Sequence, residues 1–374
     1  MRIAVNTRFL LSDYLEGCGY FISETFRYLT KNYPEHQFIF IFDRPFENKF
    51  IFSSNVIAVV AGPPSRHPIL WKYWYDIKIP RILKKFKADV FVSADGQCSL
   101  SAGIPQCLVL HDLAFLHYPS FIKKSHLFFF KRYVPKFLEK AKSIATVSEF
   151  SKQDIIHNYK TPAEKIDVVY NGVKEIFKPV SADIAMETRN KFTGGIEYFL
   201  YTGSIHPRKN LKNLLKAFSI FKKRQKSSLK LVLAGRLAWK YDSFLEDLKK
   251  YKYRADVVML GYLTEPDLAL VMASAYAMVY PSFFEGFGVP VLEAMMCQVP
   301  VITSSHSSME EIAGDAALYA EPGNFEEIAE KMMRLYKDEN LRKQLIEKGS
   351  VVAAQYSWKR TAELLWQCIQ KAAN

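Results

Sequence analysis

Short runs of β-branched and aromatic residues alternate with stretches of helical periodicity along almost the whole chain. Seven such runs predict strands in the first half of the sequence: 2–6, 38–42, 56–60, 90–93, 106–110, 143–147 and 166–169. The alternation begins again at Tyr198 and predicts six more strands: 198–202, 230–234, 257–260, 277–280, 299–303 and 317–319. Strands that alternate with helices form parallel sheets with helices on both faces, so the sequence predicts an α/β protein with two such sheets.

The length of the chain also favours two domains. Its 374 residues exceed what one hydrophobic core usually organises. A turn-rich, weakly periodic stretch begins at Asn171-Gly172 and separates the two series of strands. We predict an N-terminal domain over 1–173, a second domain over 174–356 and a terminal helix over 357–374. Ligands of doubly wound sheets bind outside the carboxyl ends of the strands, so we expect the two domains to face a shared cleft.

The charge of the chain favours an anionic partner. Its 51 basic and 38 acidic residues give a net charge of +13, which suits a phosphate-bearing or other anionic ligand. Basic residues interleave with aromatic ones in two stretches, 71–87 and 123–142. Amphipathic helices of this composition can lie on an anionic membrane surface. The alternative is a pair of solvated helix faces whose aromatic residues pack inward.

The sequence shows neither a targeting segment nor a cysteine motif. No run reaches the ~20 apolar residues of a spanning helix, and the N-terminus lacks the pattern of a signal peptide. We therefore expect a cytoplasmic protein. The five cysteines are scattered and include no Cys-x-x-Cys pair, so neither a disulfide framework nor a zinc site is predicted.

The segment 285–293 is the strongest indication of function. It begins at Glu285, ends at Glu293 and contains two glycines and a proline that suits the start of a helix. Carboxylates accept hydrogen bonds from sugar or ribose hydroxyls, and amides beside glycine can approach a negative group closely. Glu285 is expected in a loop, and Glu293 in the first turn of the next helix, where a capping role is the alternative. The segment predicts a sugar-nucleotide site.

A basic turn follows the predicted strand 198–202. Arg208 and Lys209 are expected at the N-terminus of the next helix, where free N–H groups and the helix dipole favour an anion. Two cations at that end are locally unfavourable, and a bound diphosphate would offset this. The alternative interpretation is an exposed basic turn.

Two positions in the first half of the chain also suit a ligand site. Gly19 belongs to a glycine-lined segment, 16–20, that precedes a predicted helix and can touch a phosphate or sugar; a common turn is the alternative. His111 directly follows the predicted strand 106–110 and is expected to face the ligand; a polar side chain with a satisfied neighbour is the alternative. Neither His111 nor His117 is close in sequence to a set of metal ligands.

The sequence contains no Asp-x-Asp. Sugar-nucleotide enzymes that use a divalent cation need such a carboxylate pair to hold the ion on the diphosphate. Arg208, Lys209 and the helix termini can supply positive charge in its place. We therefore expect a site that requires no metal and no cofactor.

These motifs together resemble the retaining glycosyltransferases of family 4. The similarity rests on 285–293, 201–211, 111–113, 146–151 and 170–173, which occur in the order typical of that family. It implies the GT-B fold, in which two Rossmann-like, doubly wound parallel-sheet domains face a central cleft. It also implies that the terminal helix 357–374 returns to pack on the N-terminal domain.

The resemblance assigns roles to individual residues. The implied donor-binding residues are Gly19, Ser204, Arg208, Lys209, Tyr262, Leu263, Glu285, Phe287, Gly288, Val289 and Glu293. The implied catalytic residues are His111, Glu285, Arg208 and Lys209. Ser204 stands where many members of the family carry a second diphosphate-binding arginine.

Within the donor site, the resemblance gives each region its own part of the ligand. Arg208 and Lys209 would hold the diphosphate, Glu293 the ribose and Glu285 the transferred sugar. The amides of 287–289 would assist Glu285. Gly19 would approach the phosphate, His111 would lie near the reacting face of the sugar, and residues 262–263 would border the base.

The implied reaction is transfer of a hexose, of mannose or glucose type, from a GDP- or UDP-sugar to a glycan or lipid-linked hydroxyl. The configuration at the anomeric carbon is retained, and the departing phosphate oxygen accepts the proton of the acceptor. Synthesis of a bacterial surface polysaccharide, at the inner face of the membrane, is the expected setting. Nucleic acid is not an expected partner.

Two other classes of function remain open. A nucleotide-sugar epimerase or a phosphorylase-like enzyme shares the two-domain architecture. A basic module that binds membrane surfaces or nucleic acid is the non-enzymatic alternative. Such a module would not need Glu285 and Glu293, and its affinity would fall steeply with salt.

Overall fold

The computed structural model describes residues 1–11, 15, 17–238 and 241–374. The chain divides into two compact units. The first unit comprises Met1–Gly172 together with Ser357–Asn374, and the second comprises Val173–Tyr356.

Within the described residues, the first unit contains a seven-stranded parallel sheet. Its strands are β1 Arg2–Asn6, β2 Gln37–Phe42, β3 Val56–Val60, β4 Val90–Ser93, β5 Gln106–Val109, β6 Ser143–Thr146 and β7 Ile166–Val168. Their order across the sheet is β3-β2-β1-β4-β5-β6-β7. The chain therefore winds outward in one direction from β1 and in the other from β4, so the doubly wound sheet predicted from the sequence is confirmed.

The second unit contains a six-stranded parallel sheet in its described part. Its strands are β8 Tyr198–Thr202, β9 Lys230–Ala234, β10 Val257–Gly261, β11 Ala277–Tyr280, β12 Val301–Ser304 and β13 Ala317–Ala320. Their order is β10-β9-β8-β11-β12-β13, which is again doubly wound. The second parallel sheet expected from the restart at Tyr198 is likewise confirmed.

Helices connect the strands in both units. Those of the first unit are α1 Gly17–Asn32, α2 Pro68–Tyr73, α3 Ile79–Phe86, α4 Ala114–His117, α5 Lys124–Lys140 and α6 Glu149–Tyr159. Those of the second unit are α7 Ala182–Thr193, α8 Leu211–Gln225, α9 Asp242–Lys249, α10 Glu265–Ala273, α11 Val289–Met296, α12 Ser308–Ala313, α13 Phe325–Lys337 and α14 Glu339–Ala353. The terminal helix, α15 Trp358–Ala373, belongs to the first unit and packs against α1, β5 and β6.

The strands are buried along almost their whole length. In β2, every residue from Phe38 to Phe42 is at most 1% exposed, and β8 is equally buried from Tyr198 to Tyr201. Continuous apolar runs of this kind are typical of parallel sheets, because helices cover both faces. Loops at the strand ends are therefore where polar side chains can gather.

The strand order reverses at one point in each sheet. In the first unit the reversal lies between β1 and β4, and in the second it lies between β8 and β11. At this point the connections that follow the two neighbouring strands run on opposite faces of the sheet. A crevice therefore opens beyond the carboxyl ends of the two strands. The loops that follow β8 and β11 hold the basic turn and Glu285.

The two basic-aromatic stretches show the inward packing that one interpretation expects, and the membrane surface stays a prediction. Most of their aromatic residues pack inward: Trp71, Trp74, Tyr75, Phe129 and Phe137 are at most 7% exposed. Two large apolar side chains beside them point outward, since Ile69 is 73% exposed and Phe128 is 70% exposed. In the part of the chain that the structure describes, no helix is both long enough and apolar enough to cross a bilayer.

Candidate functional site

The reversal of strand order in the second unit brings a basic turn against a buried carboxylate. Strands β8 and β11 are neighbours, with Phe199 paired to Ala277. The loop after β8 carries Arg208 and Lys209, and the loop after β11 carries Glu285. Side chains 76 positions apart in sequence therefore meet at one edge of the sheet.

Glu285 pairs with both cations. Arg208 Nη1 lies 3.0 Å from Glu285 Oε2, and Lys209 Nζ lies 2.6 Å from Glu285 Oε1. Lys209 also donates to the hydroxyl of Tyr280 at 2.6 Å, and that hydroxyl donates to Glu285 Oε1 at 3.2 Å. We call these four residues the Glu285 cluster. The sequence-predicted residues Arg208, Lys209 and Glu285 thus form one connected group.

The cluster keeps Glu285 ionised. Burial by itself would raise the pKa of Glu285, but the charges of Arg208 and Lys209 and the hydrogen bond from Lys209 outweigh it and lower the pKa to about 2. Burial raises the pKa of Tyr280, so its hydroxyl stays protonated. Two cations and one carboxylate leave the cluster with a net positive charge, which suits a ligand with more than one negative charge.

The basic turn differs from its sequence-based expectation in one respect. Arg208 and Lys209 lie in a short 3-10 turn, Pro207–Lys209, and α8 begins two residues after Lys209, at Leu211. Asn210 separates the turn from the helix in the left-handed conformation, with φ at 62°. Its side-chain amide donates to the Pro281 carbonyl at 2.9 Å, which ties the turn to the loop that carries Glu285. The two cations therefore point toward the carboxylate loop.

Lys209 is only 8% exposed, so the alternative of an exposed basic turn is wrong for that residue.

The glycine loop after Glu285 is held rigidly. Gly288 precedes α11 with φ at 101°, a conformation that disfavours any residue with a Cβ. A Cβ there would also lie 3.0 Å from Met309 Cγ. Ser308 Oγ donates to the carbonyls of Glu285 at 2.7 Å and of Phe287 at 3.2 Å. The backbone of 285–288 is therefore fixed, and Val289 opens α11 immediately after it.

Glu293 lies deeper in α11 than the sequence indicated. No acidic residue occurs in the first turn of α11, because the helix begins at Val289 and Glu293 is its fifth residue. The first-turn placement, and with it the capping alternative, is wrong. Burial raises the pKa of Glu293 to about 8; the charge of Lys174 lowers it and that of Glu265 raises it. At neutral pH the carboxyl is mostly protonated and can both donate and accept a hydrogen bond.

The remaining predicted residues of the second unit lie in neighbouring loops. Ser204 is partly exposed in the loop after β8, and its carbonyl accepts a hydrogen bond from the Tyr201 hydroxyl at 3.0 Å. Tyr262 is 51% exposed and directly follows β10, with Leu263 next to it. Strand β9 lies between β10 and β8, so these two residues are displaced from the basic turn by two strand spacings, about 10 Å.

In the first unit, His111 and Gly19 come together with α1. His111 Nε2 lies 3.1 Å from the Ala94 carbonyl oxygen. Burial lowers the pKa of His111, but the neighbouring Cys18 and the hydrogen bond with the Ala94 carbonyl outweigh it and raise the pKa to about 9. Gly19 is buried, and a Cβ there would lie 2.6 Å from the Phe9 carbonyl oxygen. Glu16, the first residue of the glycine-lined segment, lies outside the described residues.

Sequence reasoning missed three residues of the site. Tyr280 is the last residue of a predicted strand, and its position at the carboxyl end was the available signal. Ser308 and Lys174 carried no local signal, because their roles depend on contacts with residues far along the chain. Lys174 Nζ lies 2.5 Å from Glu265 Oε1, and both charges act on Glu293.

Two family models match the chain. Residues 17–175 match the model of glycosyltransferase family 4, and residues 186–351 match that of glycosyl transferases group 1. Together the two matches extend over most of both units.

Two curated relatives and one solved structure extend this similarity. O-antigen chain mannosyltransferase B of Escherichia coli is 32% identical over 250 residues, which cover 67% of this chain and 66% of the relative. O-antigen chain mannosyltransferase RfbU of Salmonella typhimurium is 29% identical over 278 residues, which cover 72% and 71%. The chain thus spans about two thirds of the length of these relatives. Anabaena Alr3699/HepE in complex with UDP superposes with a TM-score of 0.77 over 99% of each chain at 15% identity, which supports the fold alone.

Proposed function

Since this chain belongs to the glycosyltransferases of the group 1 and family 4 type, we propose that it transfers a mannosyl residue from a nucleotide diphosphate sugar to a hydroxyl of a bacterial surface polysaccharide or its lipid-linked precursor. The names of the two relatives support mannose, and glucose is the alternative hexose. The observation that carries the proposal is the Glu285 cluster at the reversal of strand order in the second sheet.

The donor diphosphate would bind at the basic turn. Arg208 and Lys209 both pair with the Glu285 carboxylate, and a diphosphate can take over part of that pairing. Their charge would stabilise the diphosphate as it leaves, and preorganised charge of this kind is often the largest contribution to catalysis. We propose that these side chains take the place of a divalent cation. The hydroxyl of Ser204, in the same loop, would add a neutral donor to the phosphate.

Glu285 would hold the transferred sugar. Its carboxylate stays ionised and can accept two sugar hydroxyls once the diphosphate has engaged the cations. The amides of Phe287, Gly288 and Val289 begin α11 beside it, where N–H groups have no partner within the helix. The rigid loop would fix the anomeric carbon relative to the leaving oxygen.

The reaction itself would need no separate base. In a retaining transfer on one face of the sugar, the bond from the anomeric carbon to the diphosphate oxygen breaks as the bond to the acceptor oxygen forms. The departing phosphate oxygen takes the proton of the acceptor hydroxyl. His111, with its pKa raised to about 9, carries a positive charge that would stabilise charge near the reacting sugar. Gly19 would let the α1 backbone approach the phosphate.

The nucleoside would occupy the other half of the same sheet edge. Glu293 can donate to one ribose hydroxyl and accept from another, because its carboxyl is mostly protonated at neutral pH. Tyr262 and Leu263 lie about two strand spacings from the basic turn, a span that suits the distance from diphosphate to base. Tyr262 would stack on the base.

We further propose that the first unit docks on an anionic membrane from the cytoplasmic side. Ile69 and Phe128 project from α2 and α5, two helices that pack together through Trp71 and Phe130. Exposed cations border them, among them Lys72 and the following residues: Arg66, Lys124, Lys131 and Arg132. Apolar side chains ringed by lysine and arginine are the composition that binds anionic lipid.

A binding and transfer assay tests the proposed function. Titration calorimetry with GDP-mannose, UDP-glucose and the corresponding free nucleotides should give saturable binding for at least one donor, and incubation with a mannan or lipid-linked glycan acceptor should give an extended product. No binding of any nucleotide sugar would overturn the proposal. Conversion of the donor to an isomer without acceptor would favour an epimerase.

A further inference from the structure

A buried ion pair lies at the point where the strand order reverses in the first sheet. Arg8 follows β1 and Asp95 follows β4, and these two strands are neighbours. Arg8 Nε lies 2.5 Å from Asp95 Oδ2, and the two side chains are only 5% and 1% exposed. Neither residue belongs to the proposed donor site. A buried ion pair adds little net stability over an apolar pair of the same size, so its main effect is on geometry, through its hydrogen bonds.

Within the described residues, the Asp95 carboxylate accepts five hydrogen bonds. The donors are Arg8 Nε, Asn6 Nδ2 at 2.9 Å, the Tyr75 hydroxyl at 2.6 Å, the Ser93 hydroxyl at 3.2 Å and the Gln97 N–H at 3.3 Å. We call Asn6, Arg8, Tyr75, Ser93 and Asp95 the Asp95 network. Its members come from the end of β1, from the segment between α2 and α3, and from the end of β4. The carboxylate therefore cannot turn without breaking several of these bonds.

The loop that the network fixes also holds His111. Ala94 stands between Ser93 and Asp95, so its peptide is anchored on both sides. The Ala94 carbonyl oxygen lies 3.1 Å from His111 Nε2. Because a carbonyl oxygen only accepts, Nε2 carries a hydrogen and donates it.

A second hydrogen bond ties the same loop to the segment that carries His111. The Gly96 N–H donates to the carbonyl of Val109 at 3.0 Å, at the end of β5 and two residues before His111. The distance between the Ala94 carbonyl and the imidazole is therefore set from both ends. Any change that loosens the loop at Asp95 should loosen the hydrogen bond to His111.

We propose that the Asp95 network positions His111, and that it acts through the Ala94 carbonyl. Asp95 and its partners are positioning residues, because they hold the loop and are not expected to touch the sugar or the phosphate. A hydrogen bond from Nε2 to a fixed carbonyl sets the plane of the ring and favours its protonated form. The catalytic consequence rests on the proposed function, in which His111 serves the reacting sugar, whereas the control of the imidazole by the network does not.

The charge state of His111 gives a direct readout of this control. Burial lowers the pKa of His111, while Cys18 of α1, the hydrogen bond to Ala94 and the charge of Asp112 raise it, to about 9. Weakening the Ala94 hydrogen bond should therefore lower the pKa, so that the ring loses its proton at a lower pH. Transfer should then decline at a lower pH, because a neutral imidazole no longer stabilises negative charge.

Removal of single hydroxyl groups from the network tests the proposal. Tyr75→Phe keeps the ring that packs beside the Arg8 guanidinium and removes only its hydrogen bonds, and Ser93→Ala does the same for a second donor. NMR titration of histidine-labelled protein follows the His111 ring, which is assigned by the signal that His111→Gln lacks. We expect the pKa of His111 to fall by about half a pH unit or more in each variant. The alkaline limb of kcat/KM should move to lower pH by the same amount.

Tyr198→Phe is the matched control. The Tyr198 hydroxyl donates to the Val271 carbonyl at 2.6 Å, and Tyr198 is 0% exposed, so its loss also removes a buried tyrosine hydrogen bond, but in the second unit. This variant should leave the His111 titration and the rate profile unchanged. A shift of the His111 pKa as large as that of Tyr75→Phe would show general loosening and would overturn the specific role of the network.

The remaining outcomes separate the two parts of the inference. An unchanged pKa of His111 in folded Tyr75→Phe and Ser93→Ala rejects the positioning role. A lowered pKa with an unmoved rate profile rejects the catalytic consequence. Absence of transfer by the wild type would instead count against the proposed function, and the NMR titration would still decide whether the network controls His111.

Discussion

Lys209 Nζ lies 2.6 Å from Glu285 Oε1, and neither residue is more than 8% exposed. Burying an ion pair is stabilising only when hydrogen bonds satisfy the remaining polar atoms. Tyr280 completes that requirement, because its hydroxyl accepts from Lys209 and donates to Glu285. Arg208 adds a second cation on the same carboxylate, with its Nη1 3.0 Å from Glu285 Oε2. The cluster is therefore stable as a unit and remains electrostatically prepared for an anion.

Replacing Glu285 with glutamine should separate sugar binding from diphosphate binding. Glu285→Gln keeps the shape of the side chain but removes its charge, so we expect transfer to fall by about 100-fold or more. Binding of the free nucleotide diphosphate should persist or tighten, since Arg208 and Lys209 lose their competing partner. Steady-state kinetics and calorimetry measure the two effects.

The matched control for this variant is Glu310→Gln, on the exposed start of α12. It should leave both transfer and binding unchanged. Circular dichroism would verify that Glu285→Gln is folded. Turnover of folded Glu285→Gln near that of the wild type would refute the role assigned to Glu285.

Removal of the Lys209 charge should weaken the binding of the nucleotide diphosphate. Lys209→Met retains the apolar stem and removes a charge-assisted contact, so we expect the Kd of the free nucleotide to rise by about tenfold or more. Lys212→Met is the comparison, because Lys212 pairs with Asp247 at the surface and both side chains are 53% exposed. Calorimetry that gave the same Kd for Lys209→Met and Lys212→Met would contradict the assignment.

The raised pKa of Glu293 should make stability depend on pH. The folded protein holds the Glu293 proton up to about pH 8, whereas the unfolded chain releases it near 4.5. Between these values the folded state binds more protons, so its stability falls as pH rises. Glu293→Gln removes this titrating group, so its stability relative to the wild type should be higher near pH 8.5 than near pH 5 by roughly 4 kcal/mol.

Denaturant unfolding at the two pH values measures this difference. Exposed Glu310→Gln again serves as the reference and should show no such pH dependence relative to the wild type. If Glu293→Gln gave the same stability difference at both pH values, the pKa of Glu293 would not be raised by burial.

The exposed apolar side chains of the first unit should govern membrane binding. Ile69→Ser with Phe128→Ser removes both protruding groups without touching the buried Trp71 and Phe129. We expect sedimentation with vesicles that contain anionic lipid to fall about tenfold or more, because each buried apolar side chain contributes roughly 1.5–3 kcal/mol.

A control on the second unit tests whether this effect is specific. Val351→Ser removes an apolar side chain that is 67% exposed on α14 and should leave vesicle binding unchanged. Binding that is equal for the double variant and the wild type would eliminate the proposed docking surface. Binding to neutral vesicles as strong as to anionic ones would eliminate its electrostatic part.

The positions of the strands in both sheets were largely predictable from local sequence. A strand buried on both faces is a continuous apolar run, and the runs at 38–42 and 198–202 are bounded by polar segments long enough for a helix. The start of β12 was placed two residues early, at 299, because Val299 and Pro300 extend the apolar run before the strand begins at Val301. Residue 299 is buried like a strand residue, so burial alone could not locate the boundary.

The site was only partly predictable, for a reason that lies in strand order. Local sequence shows that Arg208 follows one strand and Glu285 another, but it contains no signal that β8 pairs with β11 rather than with β10. The resemblance to a family supplied that information. The predicted position of Glu293 was wrong because α11 begins at Val289, before Pro290, so that Glu293 falls outside the first turn.

By itself, the sequence determined the α/β class, the two series of strands and the residue types that stand after them, because periodicity and turn residues act over a few positions. Tertiary structure alone decided which of these residues share an environment. It placed Lys209 against Glu285, brought Glu293 near Lys174 and Glu265, and set the Ser308 hydroxyl on the Glu285 carbonyl. Charge and proton affinity depend on neighbours within a few ångströms in space, and these neighbours lie tens of positions away along the chain.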